Sequence, residues 1–257
     1  MDLGLKGKRA LVTASSGGLG LSIADSLAAE GANLVLFARS AEKLEELSRT
    51  MSERHEVEVI AVPGSMVDAH DVQRLCGTLE DLGGLDVLAL LTGRPPTPLR
   101  PTLQETERSR WDEAYQNQLS AVVEIVNGVV PLMMGREWGR IIAITSAHAK
   151  QPVVGHALST VFRAAVTAYM KGLAAEVAAE RITVNCVAPA LIETSHRTGA
   201  AAYTDEQTAH RLSLTPLGRM GTHEELSSVV AYLASRQAGF VTGSTVAVEG
   251  GMVGALF

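Results

Sequence analysis

The chain has 257 residues, 46% hydrophobic and 19% charged, a balance that excludes disordered and fibrous classes and suffices to bury a full core. Acids outnumber bases 28 to 22, the formal net charge is −6, and basic residues form no run longer than two, so neither nucleic acid nor a membrane surface is an expected partner. Cys76 and Cys186 are the only cysteines, with no C-x-x-C pair; no signal peptide precedes the first strand, and no apolar run nears the roughly 18 residues of a membrane span. A disulfide framework and a metal site are therefore not expected, and the cytoplasm is the expected location.

In chain order, short apolar runs alternate with longer amphipathic ones. A strand over 10–13 runs into the small-residue turn Ala14-Ser15-Ser16-Gly17-Gly18-Leu19-Gly20 and a helix over 20–30, which Gly31 is placed to end. A strand over 33–38 leads to Arg39 and to Ser40, a candidate N-cap for a helix over 41–54. A strand over 57–62 precedes a helix over 68–82. A strand over 87–91 precedes the rigid loop Arg94-Pro95-Pro96-Thr97-Pro98 and a long helix over 107–134, which Pro131 should end or kink. Strands over 141–145, 183–188 and 245–248 and helices over 158–180 and 222–235 complete the pattern. Segments 92–106 and 191–216 are the least regular. Both follow strand ends where open α/β sheets bind ligands, which makes them candidate lids. This spacing predicts right-handed crossovers and one α/β domain over 1–257: a doubly wound, Rossmann-type parallel sheet of seven strands with helices on both faces. Aromatics are only 4%, so the core is expected to be Ala, Val, Leu and Ile.

The turn at 14–20 lets a pyrophosphate approach backbone N–H groups at a helix N-terminus, although a tight crossover without a ligand would use similar residues. It resembles the T-G-x-x-x-G-x-G turn of the short-chain dehydrogenase/reductase family, with Thr13, Gly18 and Gly20 in place. The resemblance covers nearly the whole chain. Asp68 resembles the second acid of the family's D-V-x-D, and Trp111 starts the helix that carries a catalytic Asn. Ile144-Thr145-Ser146 resembles the strand end with the catalytic Ser, and Thr183-Val184-Asn185-Cys186-Val187-Ala188-Pro189 with Ile192-Glu193-Thr194 resembles V-N-x-V-x-P-G-x-I-x-T. Pro216-Leu217-Gly218-Arg219-Met220-Gly221, Val241-Thr242-Gly243 and Val248-Glu249-Gly250-Gly251 extend it, most like the 3-oxoacyl-ACP-reductase-like group.

The resemblance implies a nicotinamide cofactor held by Thr13, Ser15, Ser16, Gly18, Leu19, Gly20, Arg39, Ser40, Gly93, Arg163, Pro189, Ile192 and Thr194, and a small-molecule substrate. It also implies a homotetramer or dimer, or a hetero-oligomer with an active relative. The end of the second strand carries no acid, and Arg39 there favours NADP(H), because an Arg accommodates a 2′-phosphate. The alternative is a solvated Arg at a helix start.

The chain also departs from the family pattern. Ala14 replaces the first Gly of the turn, Ser65 an Asp, Leu90-Leu91-Thr92-Gly93 the N-N-A-G, and Ala190 a Gly. A methyl group at 14 would crowd a turn that needs positive φ. Counting from Ser146, the family's Tyr falls on Ser159 and its Lys on Arg163. Counting from Trp111, its Asn falls on Gln118, so only Ser146 of the tetrad is unchanged. In the family a Tyr phenol, its pKa lowered by Lys, protonates the carbonyl oxygen. A Ser hydroxyl is a far weaker acid, and Arg is always protonated; the pair reads as a bidentate anion or diol binder in place of a proton relay. His148 and Lys150, just after Ser146, and His156 are candidate acid–base groups.

Three functions follow. One is an NADP(H)-dependent reductase of a carbonyl or related group, in which Ser146 and Gln118 donate hydrogen bonds and the acid is His148, Lys150, water or the substrate. Another is a non-redox dehydratase, isomerase or cyclase. The last is a catalytically degenerate partner subunit. The segment 198–202, followed by Tyr203, is expected to form a helical lid.

Overall fold

A computed structural model describes residues 1–193 and 204–256. Seven parallel strands form one sheet: β1 (Arg9–Thr13), β2 (Asn33–Ala38), β3 (Val59–Pro63), β4 (Val87–Leu91), β5 (Gly139–Ile144), β6 (Ile182–Pro189) and β7 (Thr245–Val248), ordered β3-β2-β1-β4-β5-β6-β7. The order reverses between β1 and β4, which opens a crevice at their C-terminal ends.

The strands read as unbroken apolar runs because both faces are covered. Side chains alternate: Leu11, Val35, Phe37 and Leu88 face one core, and Val12, Leu34, Leu36 and Val87 the other. The first core is closed by α3 (Ala69–Asp81), α5 (Ala121–Val129) and α6 (Ala157–Glu176) through Leu75, Leu79, Ile125, Val166 and Met170. The second is closed by α1 (Gly18–Ala29), α2 (Ala41–His55) and α8 (His223–Ala234) through Ile23, Leu27, Leu44, Met51, Leu226 and Val230.

Three expectations need correction. The strand expected over 57–62 starts at Val59, because Val57 and Glu58 belong to the preceding turn: Ser52 Oγ donates to the Val57 carbonyl, and Glu58 N–H donates to Asn33 Oδ1. The helix expected over 107–134 is broken into α4 (Arg108–Tyr115), a π turn (Gln116–Ser120), α5, and a 3₁₀ turn (Val130–Met133) that contains Pro131. The segment 191–216 is not irregular throughout, since α7 spans Asp205–Ser213. Thr194 and the expected lid at 198–202 with Tyr203 lie outside the described residues. Among the described residues, no helix is long and apolar enough to cross a membrane.

The proline loop after β4 is strapped down. Arg110 on α4 forks onto Glu105 with two 2.8 Å bonds and reaches the Pro98 carbonyl at 2.7 Å. Both side chains are buried, 9% and 1% exposed. An Arg110→Met variant strands the Glu105 carboxylate and is expected to cost about 3–5 kcal/mol, much of it recovered by adding Glu105→Gln. Arg110 holds the Glu105 carboxyl below its ordinary range despite burial. A depressed carboxylate stabilises the fold above its unfolded-state pKa and loses that contribution as pH falls. Urea midpoints at neutral pH and on acidification should converge between wild type and the double variant; a constant gap rules out this linkage.

Candidate functional site

The C-terminal crevice is a cleft of about 680 Å³. Its floor at the switch point is fixed by Thr13, which is fully buried. The Thr13 hydroxyl donates to the Leu91 carbonyl and accepts from the Leu91 N–H, each at 2.8 Å, stitching β1 to β4. The turn beyond it follows the expected path. Ala14 takes the left-handed conformation, φ 51°, the strain anticipated for that methyl group. Ser15 N–H donates to the Phe37 carbonyl, while its buried hydroxyl has no partner among the described residues. Ser16, Gly17, Gly18, Leu19 and Gly20 line the cleft. Gly20 is required by a close approach: a Cβ there would sit 2.4 Å from the Ala14 carbonyl oxygen.

This cradle fits a dinucleotide. The start of α1, where backbone N–H groups have no helical partner, lines the cleft, and Arg39, past β2, lines the same cleft with Lys43 in the first turn of α2. Ser40 is the N-cap residue of α2, but its side chain makes no capping bond and is not on the cleft wall. Pro189 and Ile192 close the opposite side.

Ser146, Ser159, Arg163 and His148 share the wall beside β5. Ser146 Oγ accepts the His148 N–H at 3.2 Å, capping a 3₁₀ turn (Ala147–Ala149). Arg163 reaches across from α6: Nη1 donates to the Ile144 carbonyl at 2.8 Å and Nη2 to the Gly93 carbonyl at 3.2 Å. Burial pushes its pKa down to about 10, so it remains a cation at neutral pH. Arg163 is thus first a brace between the ends of β4 and β5, more fixed than a free anion binder. Gly93 serves through its backbone, its N–H donating to the Asn117 carbonyl of the π turn at 3.2 Å.

His148 is buried, and among the described residues nothing hydrogen-bonds its Nδ1. Burial, with His156 and Arg211 nearby, pushes its pKa down to about 4, so its imidazole is neutral at physiological pH. The His156 ring centroid lies 4.6 Å away. Arg211 Nη2 donates to His156 Nε2 at 2.7 Å, so that nitrogen accepts and the imidazole proton sits on Nδ1.

Two expected catalytic positions are not brought to the cleft. Lys150 ends the 3₁₀ turn and is not among the lining residues, because successive residues of so short a turn diverge. Gln118 is fully buried in the π turn, off the wall, and among the described residues neither of its amide atoms has a hydrogen-bond partner. Tyr169 packs against the core. Asn185 is structural, its amide bonded to the Val241 carbonyl and the Ser244 N–H, and Asp68 caps α3. Sequence reasoning missed Lys43, Arg94 and Arg211 as lining residues. Only Lys43 carried a signal, lying four positions after Arg39.

Comparisons with known proteins agree with this geometry. The family model described as Enoyl-(Acyl carrier protein) reductase matches residues 13–253. Nodulation protein G of Rhizobium sp. (strain N33) is 36% identical over 249 residues, covering 96% of this chain and 98% of that protein. The 3-oxoacyl-(acyl-carrier-protein) reductase FabG of Salmonella typhimurium is 34% identical over 254 residues, covering 97% and 99%. The L-sorbose reductase of Gluconobacter frateurii, solved with NADPH and L-sorbose, superposes with a TM-score of 0.89 at 31% identity, covering 100% of both chains. With the fold, the glycine turn and matches over nearly the full length in agreement, the chain belongs to the short-chain dehydrogenase/reductase family of oxidoreductases.

Proposed function

We propose that the protein is an NADP(H)-dependent reductase of a carbonyl or related small-molecule group, working through a non-standard active site. The observation that carries this reading is one cleft wall joining the glycine turn, Arg39, Arg163, Ser146, Ser159 and His148. The N–H groups opening α1 hold the pyrophosphate, and Arg39 with Lys43 holds the 2′-phosphate. The bound cofactor supplies hydride, and one proton must be delivered to the substrate oxygen. Ser146 and Ser159 hydrogen-bond that oxygen and stabilise the charge that develops on it. Neither is acidic enough to be the proton's ultimate source. His148, its pKa pushed down to about 4, is a neutral imidazole at physiological pH and does not supply that proton; water entering the cleft supplies it, relayed through the Ser146 and Ser159 hydroxyls. Arg163 fixes the wall and contributes its positive charge.

An active chain of this design loses about 10²–10³ in kcat in a Ser146→Ala variant, the usual effect of removing one such donor. NADPH oxidation followed by absorbance, with NADPH affinity measured separately, is the test. Loss of turnover with cofactor affinity kept is the expected result; full activity in the variant overturns the assignment.

A homotetramer or dimer packed through the long helices fits the exposure of Tyr115 and Val161 on that side. Two cysteines without a disulfide framework support a cytoplasmic setting.

A further inference from the structure

Beyond β6 the chain makes one more strand-like contact. Ile192 and Gly221 form an isolated parallel bridge. Gly221 N–H donates to the Leu191 carbonyl at 2.9 Å, and Glu193 N–H donates to the Gly221 carbonyl at 2.8 Å. A Cβ on Gly221 would lie 2.8 Å from Ile192 Cδ1, so the Ile192 side chain rests directly on this backbone. Ile192 is buried and lines the cleft with Pro189 and Ala190. In the sheet order β6 lies beyond β5 from β1 and β2, so this wall stands at the Ser146 end of the cleft, opposite Arg39.

Packing alone does little to hold the stretch that carries Gly221. Arg219 is exposed, and Met220, Gly221 and Thr222 are only half-buried. What holds it is the Glu225 carboxylate, which accepts three donors. Arg219 Nη2 donates to Oε1 at 2.6 Å, Arg219 Nη1 to Oε2 at 2.8 Å, and the Thr222 N–H to Oε2 at 2.8 Å. Thr222 Oγ1 accepts the Glu225 N–H in return, which completes a capping box at the start of α8. The box needs only Thr222 and Glu225. Arg219 goes further: it also reaches the Met220 carbonyl at 2.9 Å, so one planar fork closes the bend around Gly221. Arg219, and then the Thr222 N–H, hold the Glu225 carboxyl down to about 2, so the clasp stays ionised at neutral pH. An isolated exposed ion pair contributes little, but a bidentate fork within a network is the exception.

We propose that Arg219 and Glu225 are positioning residues of the cofactor site: their clasp fixes Gly221, and Gly221 sets Ile192 against the nicotinamide half of the dinucleotide. The proposal rests on the reductase reading for the identity of that ligand.

The test compares NADPH with 2′,5′-ADP, which carries the adenosine and its 2′-phosphate but no nicotinamide. Arg219→Ala removes the fork. Glu225→Gln gives up the fork but keeps an acceptor for the Thr222 N–H. Calorimetric titration of both variants is expected to show NADPH affinity lower by about threefold to tenfold, with 2′,5′-ADP affinity kept. The retained 2′,5′-ADP binding separates a local loss from misfolding. NADPH affinity unchanged in both variants, or a loss shared equally by 2′,5′-ADP, overturns the proposal. Should neither ligand bind the wild-type protein, the reductase reading falls, and hydrogen exchange in the free protein then judges the clasp. The Gly221 and Glu193 amides are expected to exchange about threefold to tenfold faster in both variants, with the β1 amides unchanged. Unchanged exchange at those two amides overturns the clasp as well.

Discussion

A Gly20→Ala variant is expected to lose NADPH binding by about tenfold or more and to unfold earlier by about 1–3 kcal/mol, the range for overpacking a closed site. The added Cβ would lie 2.4 Å from the Ala14 carbonyl oxygen and 2.9 Å from its carbon. Those are backbone atoms, so no rotamer relieves the clash. The start of α1 must shift, carrying with it the N–H groups that face the cleft. Six residues earlier the same turn gives the opposite sign. Ala14 sits at φ 51°, where an L-residue is disfavoured by about 1–2 kcal/mol. Glycine's greater freedom in the unfolded chain offsets about 0.4–1 kcal/mol of that, leaving Ala14→Gly a gain of about 0.5–1 kcal/mol. Urea denaturation and NADPH fluorescence titration check both. Gly20→Ala binding like wild type would mean the turn does not approach the ligand.

The Arg163→Ala variant is expected to weaken both the fold and the cofactor site. Its guanidinium joins the Ile144 carbonyl at the end of β5 to the Gly93 carbonyl past β4. Removing it leaves the Ile144 oxygen without that donor, which costs about 1–3 kcal/mol where a buried acceptor is left unpaired. The cleft also loses a cation beside Ser146, and NADPH affinity is expected to fall by about tenfold. Arg163→Lys should recover part of the affinity but little of the stability, since an ammonium on a flexible stem cannot reproduce the planar fork. Thermal melts with and without NADPH separate the two effects. A variant with wild-type melting and wild-type affinity would show that Arg163 is neither brace nor contact.

The sheet was legible because its physics is local. Strands covered on both faces must be apolar throughout, and 33–38, 87–91 and 245–248 match the strand bounds residue for residue. The break at Gln116–Ser120 was not legible. Helical periodicity barely registers one π turn, and a tertiary contact, the Asn117 carbonyl on the Gly93 N–H, accompanies it. The glycine turn, Arg39, Ser146, Ser159 and Arg163, which the family resemblance singles out in the sequence, line one cleft. Lys150 was misplaced because neighbours on a 3₁₀ turn point in different directions. Arg94 and Arg211 were missed because a loop and a helix far apart in sequence meet only at the cleft.

The central claim is that a strained turn and an atypical Ser/Arg pair still serve a nicotinamide dinucleotide. Titration of the wild-type protein with NADPH and with NADH tests it most directly. The prediction is saturable NADPH binding, NADH weaker by about tenfold or more for want of the phosphate on Arg39 and Lys43, and loss of that preference in Arg39→Ala. Failure of both dinucleotides to bind would contradict it and leave Ser159 and Arg163 as marks of a non-redox enzyme or a non-catalytic subunit.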